Sequence, residues 1–211
     1  MSNTLRTRVK ICGITSVEDA LLAVAVGCDA IGLVFYTPSP RCVSPDQAAK
    51  IVAALPPFVN AVGLFVDASQ DEIEHVLKTV QLDCLQFHGD ETPEQCRVYG
   101  VHYMKAIRVK PSTNLLQYEL DFYDAKALLL DAYVDGLVGG TGQAFDWNLI
   151  PKSLTKPFVL AGGLNAYNVA LAIKQSQPYA VDVSGGVEKS KGIKDAAKMA
   201  AFMQNININK A

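Results

Sequence analysis

Eight short apolar runs constrain this chain more than any other feature. They are VKIC (9–12), AIGLVF (30–35), NAVGLFV (60–66), CLQF (84–87), YMKAIRV (103–109), ALLLD (127–131), FVLAG (158–162) and YAVDVS (179–184). Their apolarity is nearly continuous rather than alternating, which predicts strands covered on both faces. Between them stand segments such as SVEDALLAVAVG, SPDQAAKIVAAL, SQDEIEHVLKTV and NAYNVALAIKQ. Each opens on Ser or Asn and then spaces apolar residues three and four apart, the pattern of a capped helix. In the third, Ser69 with Glu72 three residues on predicts a capping box, and Asp71 stands where the helix dipole favours an anion. The fifth helical segment, within PSTNLLQYELDFYDA, is short and aromatic.

A strand followed by a helix, repeated without a long linker or a low-complexity insert, predicts parallel βαβ units in one domain. An open doubly wound sheet and a closed barrel both satisfy that pattern, and the count of eight favours the barrel. Such barrels run from about 200 residues upward, so 211 residues predict a compact single-domain (β/α)8 TIM barrel over residues 1–211. Its ends, about 1–7 and 204–211, are expected to be flexible, with the polar tail NININKA loosely ordered and dispensable.

Composition excludes several function classes. The net charge of −2, with positive residues dispersed, gives no footprint for nucleic acid. No window approaches the roughly 18 apolar residues of a membrane helix, and MSNTLRTR leads into no signal-peptide core. Five cysteines without a C-x-x-C pair predict neither a disulfide framework nor a zinc knuckle, and fit a reducing, cytoplasmic setting. Of His75, His88 and His102, only His88 falls at a strand end, so a metal centre is not expected. With no Walker or dinucleotide-binding pattern and no lysine in a Schiff-base context, the chain is expected to work without a cofactor.

In a barrel the chemistry gathers at the carboxyl ends of the strands. Those ends hold Cys12 with Gly13, a segment 36–41 ending in Arg41, Asp67, a segment 88–91 from His88 to Glu91, Arg108, Asp131, Gly162 with Gly163, and Asp182 with Ser184, Gly185 and Gly186. Glycine pairs after the last two strands, with the further glycine loop GLVGGTG (136–142), let backbone N–H groups approach an anion. A phosphate site after strands seven and eight is a recurrent feature of this fold, so the expected partner is a small phosphorylated molecule. Cys12 and Asp131 end strands one and six and are expected to face each other across the mouth as a base and an acid. A buried cysteine is more often a small hydrophobe, and becomes a base only where positive charge favours the thiolate. The candidate charges are Arg41 and Lys10, the latter expected on the opposite side of the strand. Asp131 beside ALLL needs a use to offset its desolvation. Asp182 has the same logic but could instead orient the phosphate loop.

The stretches VKICGIT, VFYTPSPRCVS, AVGLFVD, LQFHGDE, ALLLDAYVDGLVGGTGQAFDW, LAGGLNAYNV and VDVSGGVEKSKGIKD, in this order from about 9 to 195, resemble the phosphoribosylanthranilate isomerase family of tryptophan biosynthesis. The resemblance implies an Amadori rearrangement of N-(5-phosphoribosyl)anthranilate without a cofactor, by a cytoplasmic monomer or homodimer. It makes Asp131 the acid that opens the furanose ring and Cys12 the base that takes the C2 proton. It gives Arg41 the anthranilate carboxylate and His88 and Asp182 supporting places beside the substrate. The phosphate goes to Gly162, Gly163, Ser184, Gly185 and Gly186. One departure stands out: Gly185 occupies a position where serine is expected, so one hydroxyl near the phosphate is absent. The rivals are another sugar-phosphate barrel enzyme and a barrel that binds a phosphorylated ligand without turnover.

Overall fold

A computed structural model describes residues 6–132 and 146–207. All eight runs become strands: β1 (Arg8–Cys12), β2 (Ala30–Val34), β3 (Asn60–Phe65), β4 (Cys84–Phe87), β5 (Tyr103–Val109), β6 (Ala127–Ala132), β7 (Phe158–Leu160) and β8 (Ala180–Val183). They pair in parallel, each with its sequence neighbour, and β8 closes on β1 through Val9↔Val181 and Lys10↔Asp182. The (β/α)8 expectation therefore holds at the level of the sheet.

The side chains sort by the two-residue period of a strand. Outward positions such as Ile11, Ile31, Leu33, Phe65, Leu85, Leu128 and Leu130 are buried against the helices. Inward positions are smaller: Ala106, Ala127, Leu129, Val159, Ala161 and Ala180 fill the barrel, and a separate cluster of Cys12, Val34 and Leu64 lies nearer the mouth. A wide apolar layer outside and a narrow one inside leave the inward positions near the strand ends free for polar groups.

The helices are less regular than the strands. Serine caps open α1 (Val17–Ala25), α2 (Pro45–Ala53) and α3 (Gln70–Thr79), and Ser69 and Glu72 close the capping box, a device whose cap is worth about 1 kcal/mol. The fourth unit keeps only the one-turn α4 (Pro93–Cys96), held by Thr92 and Gln95. Asn114 caps the short α5 (Leu115–Asp121). After β6 the described residues show a 3₁₀ turn, Trp147–Leu149, in place of a full helix. Among the described residues the eight strands are thus accompanied by seven α-helices, α4 a single turn. Asn165, which opens the expected NAYNVALAIKQ segment, accepts the Tyr167 N–H at 2.8 Å over a preceding turn, and α6 (Val169–Ser176) itself starts later, after Asn168, which makes no cap bond. Its side chain serves the preceding loop, accepting from Asn165 N at 2.8 Å and donating to Gly163 O at 2.9 Å.

Two features follow β8. A small antiparallel hairpin, β9 (Glu188–Ser190) with β10 (Ile193–Lys194), precedes α7 (Ala196–Asn207). Of the end expected to be loose from 204, the residues up to Asn207 belong to α7, on which Phe202 and Ile206 are buried. Near the other end Arg6 pairs with Asp29. The glycine loop GLVGGTG lies outside the described residues.

Candidate active site

The side of the site built on β1 and β8 is crowded with charge. Cys12 is buried, and Lys10 lies on the same inward face, because residues two apart on a strand project together. The expectation that Lys10 lies on the opposite side is thus corrected by the period itself. Space for the two comes from Gly32, the β2 residue paired with Cys12: a Cβ there would lie 2.7 Å from Cys12 Sγ and 3.0 Å from Lys10 Nζ. The Lys10 ammonium donates to Asp182 Oδ1 at 2.8 Å, with both side chains buried.

Burial pushes the Cys12 thiol above its ordinary range; Lys10 opposes this most strongly and Lys194 adds to it, while Asp182 works the other way. The balance therefore favours the thiol. Burial also works against the charge of Lys10, but Asp182 and Cys12 outweigh it and hold the ammonium above the usual lysine range.

Arg41, in the loop after β2, makes a two-pronged contact with Glu188: Nε to Oε1 at 2.7 Å and Nη2 to Oε2 at 2.8 Å. Lys194 Nζ reaches the same carboxylate at 3.0 Å and the Ser184 carbonyl at 3.3 Å. Two cations keep Glu188 ionised below the usual carboxylate range despite its burial. The fork predicted at Arg41 is present, but its Nε–Nη2 edge belongs to the protein, and the edge formed by Nη1 and Nη2 is the one left to meet a ligand.

The Asp131 side is built differently. Asp131 ends β6 with its side chain buried, its Oδ1 accepting the Ala132 N–H at 2.8 Å and its Oδ2 lying 3.1 Å from His88 Nε2. The other ring nitrogen of His88 is 2.8 Å from Gln86 Nε2, and Gln86 has no exposed surface. His88, expected beside the substrate, thus turns both nitrogens to protein groups. In the loop after β4, Glu91 accepts from the Asp67 and Gly89 N–H groups and pairs with buried Lys105, which ties together the loops after β3 and β4.

Positive φ at Gly162 (83°) and Gly163 (66°) makes glycine necessary after β7. Gly186 is glycine for a different reason, since a Cβ there would lie 2.0 Å from Leu164 O. The two phosphate-loop candidates are therefore packed against each other. Ser184 Oγ is buried without a hydrogen-bond partner among the described residues, and at Gly185 a Cβ would meet Arg41 Nη2 at 3.6 Å and Glu188 Oε2 at 4.0 Å, ordinary van der Waals contact.

All the site residues expected in the described segments stand at the carboxyl ends of strands or in the loops that follow them. Lys10 was misplaced, and Gln86, Gly32, Glu188 and Lys194 were missed. For Gln86 a signal existed: a polar residue two before His88 must share its face. A closed parallel barrel with a buried thiol, a buried carboxyl and glycine loops after its last two strands defines a class, the barrel enzymes that move protons on small phosphorylated molecules.

Comparison with known proteins narrows the class. The sequence model described as N-(5'phosphoribosyl)anthranilate (PRA) isomerase matches residues 9–205. The enzyme of that name from Nitrosococcus oceani is 57% identical over 203 residues, 96% of this chain and 98% of the relative. The crystal structure of phosphoribosyl anthranilate isomerase from Thermotoga maritima superposes with a TM-score of 0.85 at 41% identity, over 95% of this chain and 98% of that one. A phosphoribosyl anthranilate isomerase in complex with reduced 1-(o-carboxyphenylamino)-1-deoxyribulose 5-phosphate is similar at a TM-score of 0.79 and 39% identity, over 95% and 98% of the two chains. The chain belongs to the N-(5'-phosphoribosyl)anthranilate isomerase family.

Proposed function

We propose that Asp131 and Cys12 divide the family's reaction between them as general acid and general base. The chain is an isomerase of tryptophan biosynthesis and converts N-(5-phosphoribosyl)anthranilate to 1-(2-carboxyphenylamino)-1-deoxyribulose 5-phosphate. The Asp131 carboxyl donates its proton to the furanose ring oxygen as the anilino nitrogen's electron pair breaks the C1–O bond, which leaves a protonated Schiff base. The Cys12 thiolate then removes the C2 proton, the freed pair neutralises the nitrogen, and the resulting enolamine tautomerises to the ketone. Neither group bonds covalently to the substrate.

The single observation that carries this reading is the pairing of environments: a buried thiol beside a buried ammonium on β1, and on β6 a buried carboxyl whose described partners are an imidazole nitrogen and a backbone N–H. Arg41 meets the anthranilate carboxylate through its Nη1–Nη2 edge, a planar match suited to Arg. Asp182 acts through Lys10. Ser184 Oγ and the backbone N–H groups of Gly162, Gly163, Gly185 and Gly186 take the phosphate, which supplies the acceptor that Ser184 lacks. Five free cysteines fit a reducing, cytoplasmic location. Monomer and homodimer are both compatible with a site built from one chain, and sedimentation distinguishes them.

The test is turnover in deuterium oxide. The purified chain is expected to form the ketone, and product formed in deuterium oxide should carry deuterium gained during the rearrangement. Failure to convert the phosphoribosyl substrate at all would return the chain to the ligand-binding rival.

A further inference from the structure

Gln86 is a fully buried amide in the barrel interior whose Oε1 has no partner among the described residues. A buried unpaired acceptor is a cost that an apolar side chain of the same size would not carry. Its nitrogen is committed to one contact, with His88 Nδ1 at 2.8 Å. We infer that Gln86 is a positioning residue for the acid step, holding His88 in the tautomer that carries its proton on Nε2 and directs it at Asp131.

The geometry carries the inference in three steps. An amide N–H can only donate, so the Nδ1 facing it must be the accepting nitrogen. A neutral imidazole has one N–H, which then stands on Nε2, 3.1 Å from Asp131 Oδ2. A second proton on Nδ1 would set N–H against N–H, so Gln86 also keeps His88 from becoming an imidazolium. Asp131 is thereby gripped at Oδ2 by His88 and at Oδ1 by the Ala132 N–H without a full positive charge in contact with it. That matters because a cation in contact with a carboxyl favours its ionised form and would strip the proton the acid must deliver.

The charges on neighbouring elements are otherwise engaged. Arg108 on β5 lies toward His88 O and Asp90, at 3.4 Å and 3.8 Å, and Lys105 on the same strand is paired with Glu91. Asp67 accepts from the Asp90 N–H, and on β1 and β8 Lys10 is paired with Asp182. Were the amide turned over, Oε1 would require a proton on Nδ1, leaving either a bare Nε2 toward Asp131 or an imidazolium.

The inference rests on Asp131 as the acid but is read out separately from it. Side-chain ¹⁵N NMR of the resting enzyme, assigned with a His88→Gln control, is expected to show His88 neutral with its proton on Nε2 at the assay pH. A proton found on Nδ1 overturns the inference, whatever Asp131→Asn does to turnover. Gln86→Glu places an acceptor at Nδ1 and is expected to produce the imidazolium signature. kcat should fall about tenfold, a fraction of the roughly 10²–10⁴-fold that general acid catalysis supplies, with KM unchanged because Gln86 has no exposed surface to offer a ligand. Gln86→Met keeps the volume, and circular dichroism checks its fold. A folded Gln86→Met protein with wild-type kcat and an unchanged His88 spectrum also overturns the inference.

Discussion

The two halves of the site solve opposite problems. Around Cys12 stand three cations, Lys10, Arg41 and Lys194, and two carboxylates, in two groups: Lys10 with Asp182, and Arg41 and Lys194 with Glu188. Around Asp131 the described partners are an imidazole and a backbone N–H. A base must be persuaded to lose a proton in a place where burial discourages charge, and only nearby positive charge does that. An acid must keep its proton until the substrate arrives, and the same cations would take it away. The separation of Cys12 on β1 from Asp131 on β6 keeps each environment from spoiling the other.

Removing either proton carrier should have the largest effect. Cys12→Ser and Asp131→Asn are each expected to lower kcat by at least about 10²–10⁴-fold, measured per folded molecule with circular dichroism as the check. Wild-type turnover in a folded Cys12→Ser protein would reduce that cysteine to packing. Substrate should protect the wild-type thiol from an alkylating agent.

Next comes the charge that marks the Cys12 half. Lys10→Met alone would strand Asp182 without its partner, a change that costs about 3–5 kcal/mol for a buried pair, so the informative protein is Lys10→Met with Asp182→Asn. The base works as the thiolate, so alkylation and turnover rise as pH climbs through the thiol's pKa. Burial already places that rise on the alkaline side of an ordinary thiol, with Lys10 as the strongest opposing influence and Asp182 a weaker one in the other direction. Removing both should move the rise further alkaline and lower kcat at neutral pH. An unmoved alkylation profile would mean that the two halves do not differ electrostatically in the way drawn above.

Arg41→Lys should act on binding. Loss of a two-pronged charged contact, worth about 1.5–3 kcal/mol, predicts at least a tenfold fall in kcat/KM; unchanged kinetics would remove Arg41 from the carboxylate. Gly185→Ser is the mildest test. The site has room for it, and an added hydroxyl worth about 0.5–1.5 kcal/mol should lower KM a few-fold. A raised KM would show that the backbone alone suits the phosphate.

What was legible in the sequence divides along the same physical line. Strands announce themselves through short apolar runs, and each of the eight is in the barrel. Their carboxyl ends then name the rim, which is how Cys12, Asp131, Arg41 and Asp182 were found. The 3₁₀ turn among the described residues after β6 and the single turn of α4 were hidden, because a barrel needs its sheet covered but not always by a long helix. Lys10 was legible and misread: strand alternation alone puts it beside Cys12. Glu188 and Lys194 were not legible. VEKSKGIKD reads as a polar, solvated loop, and only the fold shows that its hairpin lays two of those charges into the site.

The Lys10–Asp182 pair joins strands that are 172 residues apart in the chain, and it lies on the β1–β8 seam where the barrel closes. Contacts so distant in sequence form late in folding, because the loop must be closed before they return anything. During synthesis, then, the nascent chain carries its cysteine from the twelfth residue onward without the acidic partner that keeps its lysine in place. Lys10 is fixed beside Cys12 only when the ring closes, so β8 completes on β1 the surroundings of the proposed base.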